Sequence, residues 1–139
     1  MGVMRDIGKA LYSFWSQFGV PAYAEGRVPT KVSRNGQTEL VDPPYITYDV
    51  KYGELFTTIE LVAMNWHTVR NGADTTEERD ALMELIAEAI PVQGALIDLD
   101  NGGFLALHRG PEFQTAYNVP DEPNVIGGRT SYTVTYYTL

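Results

Sequence analysis

Residues 43–69 read Pro43-Pro44-Tyr45-Ile46-Thr47-Tyr48-Asp49-Val50-Lys51-Tyr52-Gly53-Glu54-Leu55-Phe56-Thr57-Thr58-Ile59-Glu60-Leu61-Val62-Ala63-Met64-Asn65-Trp66-His67-Thr68-Val69, two runs of β-branched and aromatic side chains separated by Gly53. Runs of this kind bounded by turn residues form strands. Side chains alternate between the two faces of a strand. Ile46, Tyr48, Val50 and Tyr52 therefore share one face of the first run, and Tyr45, Thr47, Asp49 and Lys51 the other. In the second run Ile59, Leu61 and Ala63 alternate with Glu60, Val62 and Met64, so both faces carry apolar groups. That pattern predicts a central strand covered on both sides, or one whose second face meets another subunit. The two runs are expected to pair as the middle of a sheet.

Upstream, Met4, Ile7, Leu11, Phe14 and Phe18 recur at three- and four-residue steps with Trp15 beside them, the apolar stripe of a helix that Gly19 and Pro21 end. Tyr23 to Val28 is read as a short strand. Lys31 to Arg34 and Gln37 to Val41 then flank Asn35-Gly36, the dipeptide best suited to a two-residue type I′ turn. Residues 30–41 are expected to form a projecting β-hairpin arm. Its flanks have too few apolar residues for a core of their own, and an isolated two-stranded ribbon is marginal in water. The arm is either free in solvent or ordered by a neighbouring chain. Pro43 and Pro44, lacking N–H donors, mark the start of the first long strand.

Downstream, Asp74 to Glu78 opens a second helix, with Thr75 and Glu78 spaced as a capping box and acidic residues at the positive end of the helix dipole. Leu82, Leu85, Ile86 and Ala89 form its inward stripe, each fully buried Leu or Ile being worth about 1.5–3 kcal/mol, and Pro91 stops it. Ala95 to Asp100 and Phe104 to His108 enclose Asn101-Gly102-Gly103, a second hairpin. Residues 110–128, with three prolines, read as a long irregular loop holding a short strand near Phe113 to Tyr117. Ser131 to Leu139 alternates as a terminal strand docked in the sheet. The expected class is α+β: a mostly antiparallel sheet with two main helices packed on it, plus the hairpin arm, in a single domain over residues 1–139.

With 139 residues the chain is long enough to bury a core without staples. It has no cysteine, and so neither a disulfide framework nor a thiolate metal site. Arg5, Asp6 and Lys9 interrupt the first apolar segment and no run is long enough to span a bilayer, so a soluble protein is expected. The net charge of -8, with no Lys/Arg cluster, disfavours direct binding to phosphate backbones. His67 and His108 are the only histidines, and neither has a second histidine at metal-ligand spacing. Asp98, Asp100 and Asn101 lack the EF-hand pattern and read as solvated groups beside a turn. No phosphate loop, dinucleotide fingerprint or nucleophile elbow is present. The expectation is a protein without catalytic residues, metal or cofactor. Nine tyrosines, many opposite the apolar strand faces, supply contact area at low entropic cost and favour an oligomer.

The order helix, short strand with Val28-Pro29, Pro44-Tyr45-Ile46-Thr47-Tyr48, long strand ending at Trp66, capped helix, hairpin and terminal Tyr132-Thr133-Val134-Thr135-Tyr136 resembles the tail terminator (tail completion) proteins of long-tailed bacteriophages and related phage-tail-like particles. The likeness spans nearly the whole chain, and its most specific part is the Pro-Tyr-Ile-Thr-Tyr segment. The chain departs from the shorter family pattern in the 30–41 arm and the 110–128 loop.

The resemblance implies a small α+β subunit of a homo-hexameric ring, seated on the last ring of the tail tube protein. Such a ring ends tube growth and offers a surface to the head-tail connector protein. It also implies a place at the head-proximal end of the virion tail after assembly in the host cytoplasm, no enzymatic activity, no membrane, and DNA only as cargo passing through the lumen. Arg34, Asn35, Gly36 and Gln37 at the arm tip, with Tyr45 and Tyr137, are the residues expected at a subunit or tube contact. A head-to-tail connector or neck subunit is the alternative in the same setting. A small-ligand-binding or enzymatic α+β domain using His67, His108, Asp98 and Asp100 is the alternative of a different class.

Overall fold

Ile7, Leu11 and Trp15 are spaced i, i+4, i+8 and come into register on one side of helix α1 (Val3–Trp15), where all three are fully buried. A computed structural model gives the fold and describes residues 3–32, 35–41, 43–53, 59–68, 76–118 and 125–137. Met4, expected on this stripe, is exposed, and Phe14 and Phe18 are half-buried beside it. The helix tightens into a 3-10 turn over Ser16–Phe18 and stops at Gly19, whose φ of 85° is a left-handed value that glycine adopts without strain.

The strands are β1 (Ala22–Ala24), β2 (Thr30–Val32), β3 (Thr38–Leu40), β4 (Tyr45–Tyr52), β5 (Ile59–Thr68), β6 (Ala95–Asp98), β7 (Phe104–Asn118) and β8 (Val125–Tyr137), with helix α2 (Thr76–Ala89) between β5 and β6. Six of them form one sheet in the order β1-β4-β5-β8-β7-β6, antiparallel except for the β1–β4 pair. This is the expected α+β class, two helices on a mostly antiparallel sheet. The 43–69 strands pair with each other from Tyr45↔Trp66 to Tyr52↔Ile59. They are not the middle, however: β8 inserts between β5 and β7, so the central pair is β5–β8. The physical reason is length. β8 is hydrogen-bonded on both sides over most of its 13 residues, which no shorter strand could satisfy.

Residues 110–128 are mostly strand, not a long loop: β7 continues to Asn118, β8 begins at Val125, and 119–124 lie outside the described residues. The ladder absorbs Gly110 and Pro111 in an irregularity between Arg109↔Tyr132 and Gln114↔Thr130, where the extra residues leave the pairing before it resumes. Gly127 and Gly128 sit inside β8 because space is short. A Cβ on Gly128 would collide with the Met83 sulfur, and one on Gly127 would press on the Asn65 carbonyl and the Trp66 ring.

One face of the sheet is covered. Ile46 and Tyr48, then Ile59, Leu61 and Ala63, then Tyr132 and Val134, then Leu105 and Leu107 meet in register beneath the helices. Trp15 is central, with its ring 6.2 Å from that of Tyr48 and 5.6 Å from that of Tyr132. On α2 the buried residues are Leu82, Met83 and Ile86, followed by Ile90. Leu85, expected inside, is 49% exposed because the helix leans on Met83 to reach the gap left by Gly128. The proposed Thr75 cap lies outside the described residues.

β2 and β3 pair antiparallel as a separate two-stranded sheet. A two-residue turn centred on Asn35-Gly36 would pair Val32 with Glu39, whereas the ladder pairs Val32 with Thr38. The register leaves an odd number of residues between the two strands, and Gly36 has a φ of 84°. The 95–107 hairpin closes the same way. Leu99 N donates to Gly103 O at 2.9 Å, Gly102 N donates to Leu99 O at 3.1 Å, and Gly102 has φ 90°.

Replacing Ile86 by alanine is expected to cost about 2–5 kcal/mol in urea unfolding and Leu85→Ala less than about 1 kcal/mol, since only the first leaves a cavity.

Candidate functional site

The uncovered face of the sheet carries the side chains that alternate with the core. Along β5 these are Val62, Met64 and Trp66, all half-buried with no helix over them among the described residues; of the two arrangements expected for β5, cover on both sides within one subunit is not what the described residues form. Trp66 lies over Gly127 and donates its indole N–H to Thr47 Oγ at 2.9 Å. Tyr45 stands directly opposite Trp66 and packs edge-on against Tyr23 at 5.7 Å. At the other end of the same face Tyr137 stacks on Phe104, centroids 4.8 Å apart, and is 45% exposed.

The expected contact residues thus fall in three places. Tyr45 and Tyr137 share a face but lie at opposite ends of it. Asn35, Gly36 and Gln37 are exposed in the β2–β3 turn, where Asn35 Oδ1 accepts from Gln37 N at 3.4 Å, and Arg34 lies outside the described residues. They do not converge on one site.

The polar residues weighed as a reaction centre do not converge either. His108 is exposed on the open face, across from Thr133. Asp100 is tied to Lys9 at 2.7 Å, a bond that raises the Lys9 pKa. Asn101 accepts from Gly103 N at 2.8 Å and donates to Tyr136 Oη at 3.1 Å. His67 is buried, with Nε2 3.0 Å from Asn65 Oδ1. Among the described residues no three His, Asp or Glu side chains gather as a metal site, and no helix is long and apolar enough to cross a membrane.

Sequence reasoning missed a polar seam inside the covered face. Tyr132 Oη donates to Thr130 Oγ at 2.7 Å, and Thr130 Oγ lies 3.3 Å from Ala63 O. Asn65 and His67 continue the row along β5. Burial pushes the Tyr132 pKa well up and the His67 pKa down; for His67 the Glu78 carboxylate opposes the shift and Arg79 adds to it. Asn65 Nδ2, His67 Nδ1 and Trp15 Nε1 have no hydrogen-bond partner among the described residues.

Arg109 was also missed. Its guanidinium donates to Ile90 O at 2.8 Å and Ala87 O at 3.0 Å and lies over the Phe113 ring, so β7 supplies the cation that the last turn of α2 lacks. Gln114 donates to Met83 O at 2.7 Å, further joining β7 to α2. The signal was available: Arg109 is in phase with Leu105 and Leu107, and an arginine on a core face needs an internal partner.

Comparison with protein-family models, with curated proteins and with solved structures finds no match to this chain.

Two measurements probe these contacts. Arg109→Met should cost about 1.5–3 kcal/mol through the loss of charged hydrogen bonds, read as a lower urea midpoint. For His67 the folded pKa lies below the ordinary 6.5, so the unfolded chain takes up the proton first. Its contribution to stability is complete above pH 6.5 and is lost as the pH falls from there toward the folded value, at no more than about 1.4 kcal/mol per pH unit. Unfolding midpoints between pH 7 and 5 should therefore fall less in His67→Gln than in the wild type.

Proposed function

We propose that this chain is a docking subunit that forms a homo-hexameric ring at the head-proximal end of a phage-type tail tube, stops tube polymerisation and presents a surface to the head-tail connector. The observation that supports this reading most directly is the one-sided sheet. Helices cover one face, while on the other Val62, Met64 and Trp66 stand half-buried along a central strand. Apolar and aromatic side chains on a face of this kind are suited to contact with another protein.

The work of such a subunit is done by binding alone. One end of the ring must match the tube protein and the other must not, because a surface that recruited another tube ring would let growth continue. Closure requires a head-to-tail contact whose rotation completes a circle. The arm tip from Arg34 to Gln37, with Tyr45 and Tyr137, belongs to the subunit and tube contacts in this reading. The net charge of -8 lets DNA pass the lumen without adhering. The subunit then resides in the virion tail and needs no cofactor and no membrane.

The test is to add purified protein to polymerising tube subunits and measure tube lengths by electron microscopy. Short tubes bearing a distinct ring at one end are expected, and deletion of residues 30–41 should abolish ring formation or attachment. Unchanged tube lengths with no end-bound ring would overturn the reading. Binding to connector rings but not to tube ends would reassign the chain as a neck subunit.

A further inference from the structure

The six-stranded sheet has two unlike ends. At one end β1 leads through residues 25–29 into β2, and β3 returns through 41–44 to β4, so the β2–β3 ribbon is tethered at the β1 end of the strand order. At the other end β6 closes the order, paired among the described residues with β7 on one side only. In an antiparallel ladder hydrogen-bonded pairs alternate with non-bonded ones. The Leu99–Gly103 bond makes Ile97↔Leu105 and Ala95↔Leu107 the bonded pairs and turns the backbone N–H and C=O of Leu96 and Asp98 toward the free edge.

That edge borders a groove of about 460 Å³ between β6 and α1, walled by Ala10 and Phe14 on the helix and by Leu96 on the strand, with Asp6, Asp98 and Asp100 along it. Leu96 is 72% exposed. The groove's lysine, Lys9, already pairs with Asp100, so an excess of acid remains.

The ribbon is complementary to this groove. Val41 N donates to Pro29 O, so by the same alternation the pairs on either side of Lys31↔Glu39 are non-bonded, and Thr30 and Val32 point their backbone groups away from β3. Val32 is also 72% exposed, and residues 30–41 carry Lys31 and Arg34 against one acid, Glu39, which stands opposite Lys31, so the ribbon keeps a basic excess. Two outward residues on β2 match two on β6. The strand parity fits a parallel addition, in which an outward residue of one strand lies opposite an inward residue of the other: with Lys31 opposite Asp98 on the open face, Val32 falls on the covered side, toward Ala10 and Phe14.

We propose that the β6 edge and its groove receive the β2 strand of a second copy of this chain, which extends the sheet from one subunit into the next. The contact joins opposite ends of the same fold, so it is heterologous and propagates around a ring. The proposal rests on the ring-forming reading and assigns its acceptor surface.

The experiment measures assembly by sedimentation velocity over a protein concentration series for the wild type, Lys31→Glu, Asp98→Lys and the double variant. Each single reversal should move assembly to about tenfold higher concentration, the scale of a like-charge contact, and the double variant should return it toward wild type. Reversals without effect, or a double variant that fails to recover, overturn the β2–β6 contact while leaving a ring built on other surfaces intact. A wild type that stays monomeric also overturns it, and the tail reading then stands or falls separately on whether that monomer binds tube ends.

Discussion

β8 is hydrogen-bonded along one side to β5 and along the other to β7, and the rest of the fold depends on that double pairing. A strand in this position joins elements far apart in sequence. It aligns Ile59, Leu61 and Ala63 with Val134, Tyr132 and Thr130, and Leu107 and Leu105 with Val134 and Tyr136. The surface so formed is what α1 and α2 bury. Close packing then determines the small residues: Gly128 admits Met83 of α2 on the covered side, and Gly127 admits the Trp66 ring on the open side.

The covered face is apolar at one end and polar at the other. Trp15, Ile46, Leu61 and Val134 are fully buried with no polar group to satisfy except the Trp15 indole N–H, whereas Thr130, Asn65 and His67 are buried polar groups in a row. Buried polar groups are costly unless hydrogen-bonded, and here the seam is only partly bonded among the described residues. Cross-links from β7 hold α2 over it: Arg109 on the carbonyls at the helix C-terminus and Gln114 on Met83 O. The helix is therefore anchored by hydrogen bonds to backbone as well as by its apolar stripe.

The open face and the two ends of the strand order are consistent with one kind of activity. Among the described residues the sheet has helices on one side, an apolar row on the other and an outer strand paired along one edge, features suited to protein contact. The ends differ in charge and shape, acidic groove at β6 and basic strand at β2, and in the proposed assembly such unlike ends favour head-to-tail over two-fold contact.

Period and composition alone determined the two helices, the strand character of residues 45–52 and 59–68, the hairpin at 95–107 and the α+β class, because these depend on contacts between near neighbours and on the alternation of side chains along one element. Strand order is a different matter. Neither the insertion of β8 nor the continuation of β7 through Gly110 and Pro111 follows from local pattern, since glycine and proline read as loop wherever a distant partner does not hold them in a ladder. The same holds at the level of single residues. Leu85 and Met83 are equally apolar in sequence, and the gap at Gly128 decides which turns inward. The open face could not be recognised from β5, whose apolar residues on both sides fit a covered strand equally well, and the prominence of Leu96 and Val32 emerges only once β6 and the ribbon lie at the limits of the paired strands. Local sequence chose the elements, and long-range pairing chose which of their surfaces were left exposed.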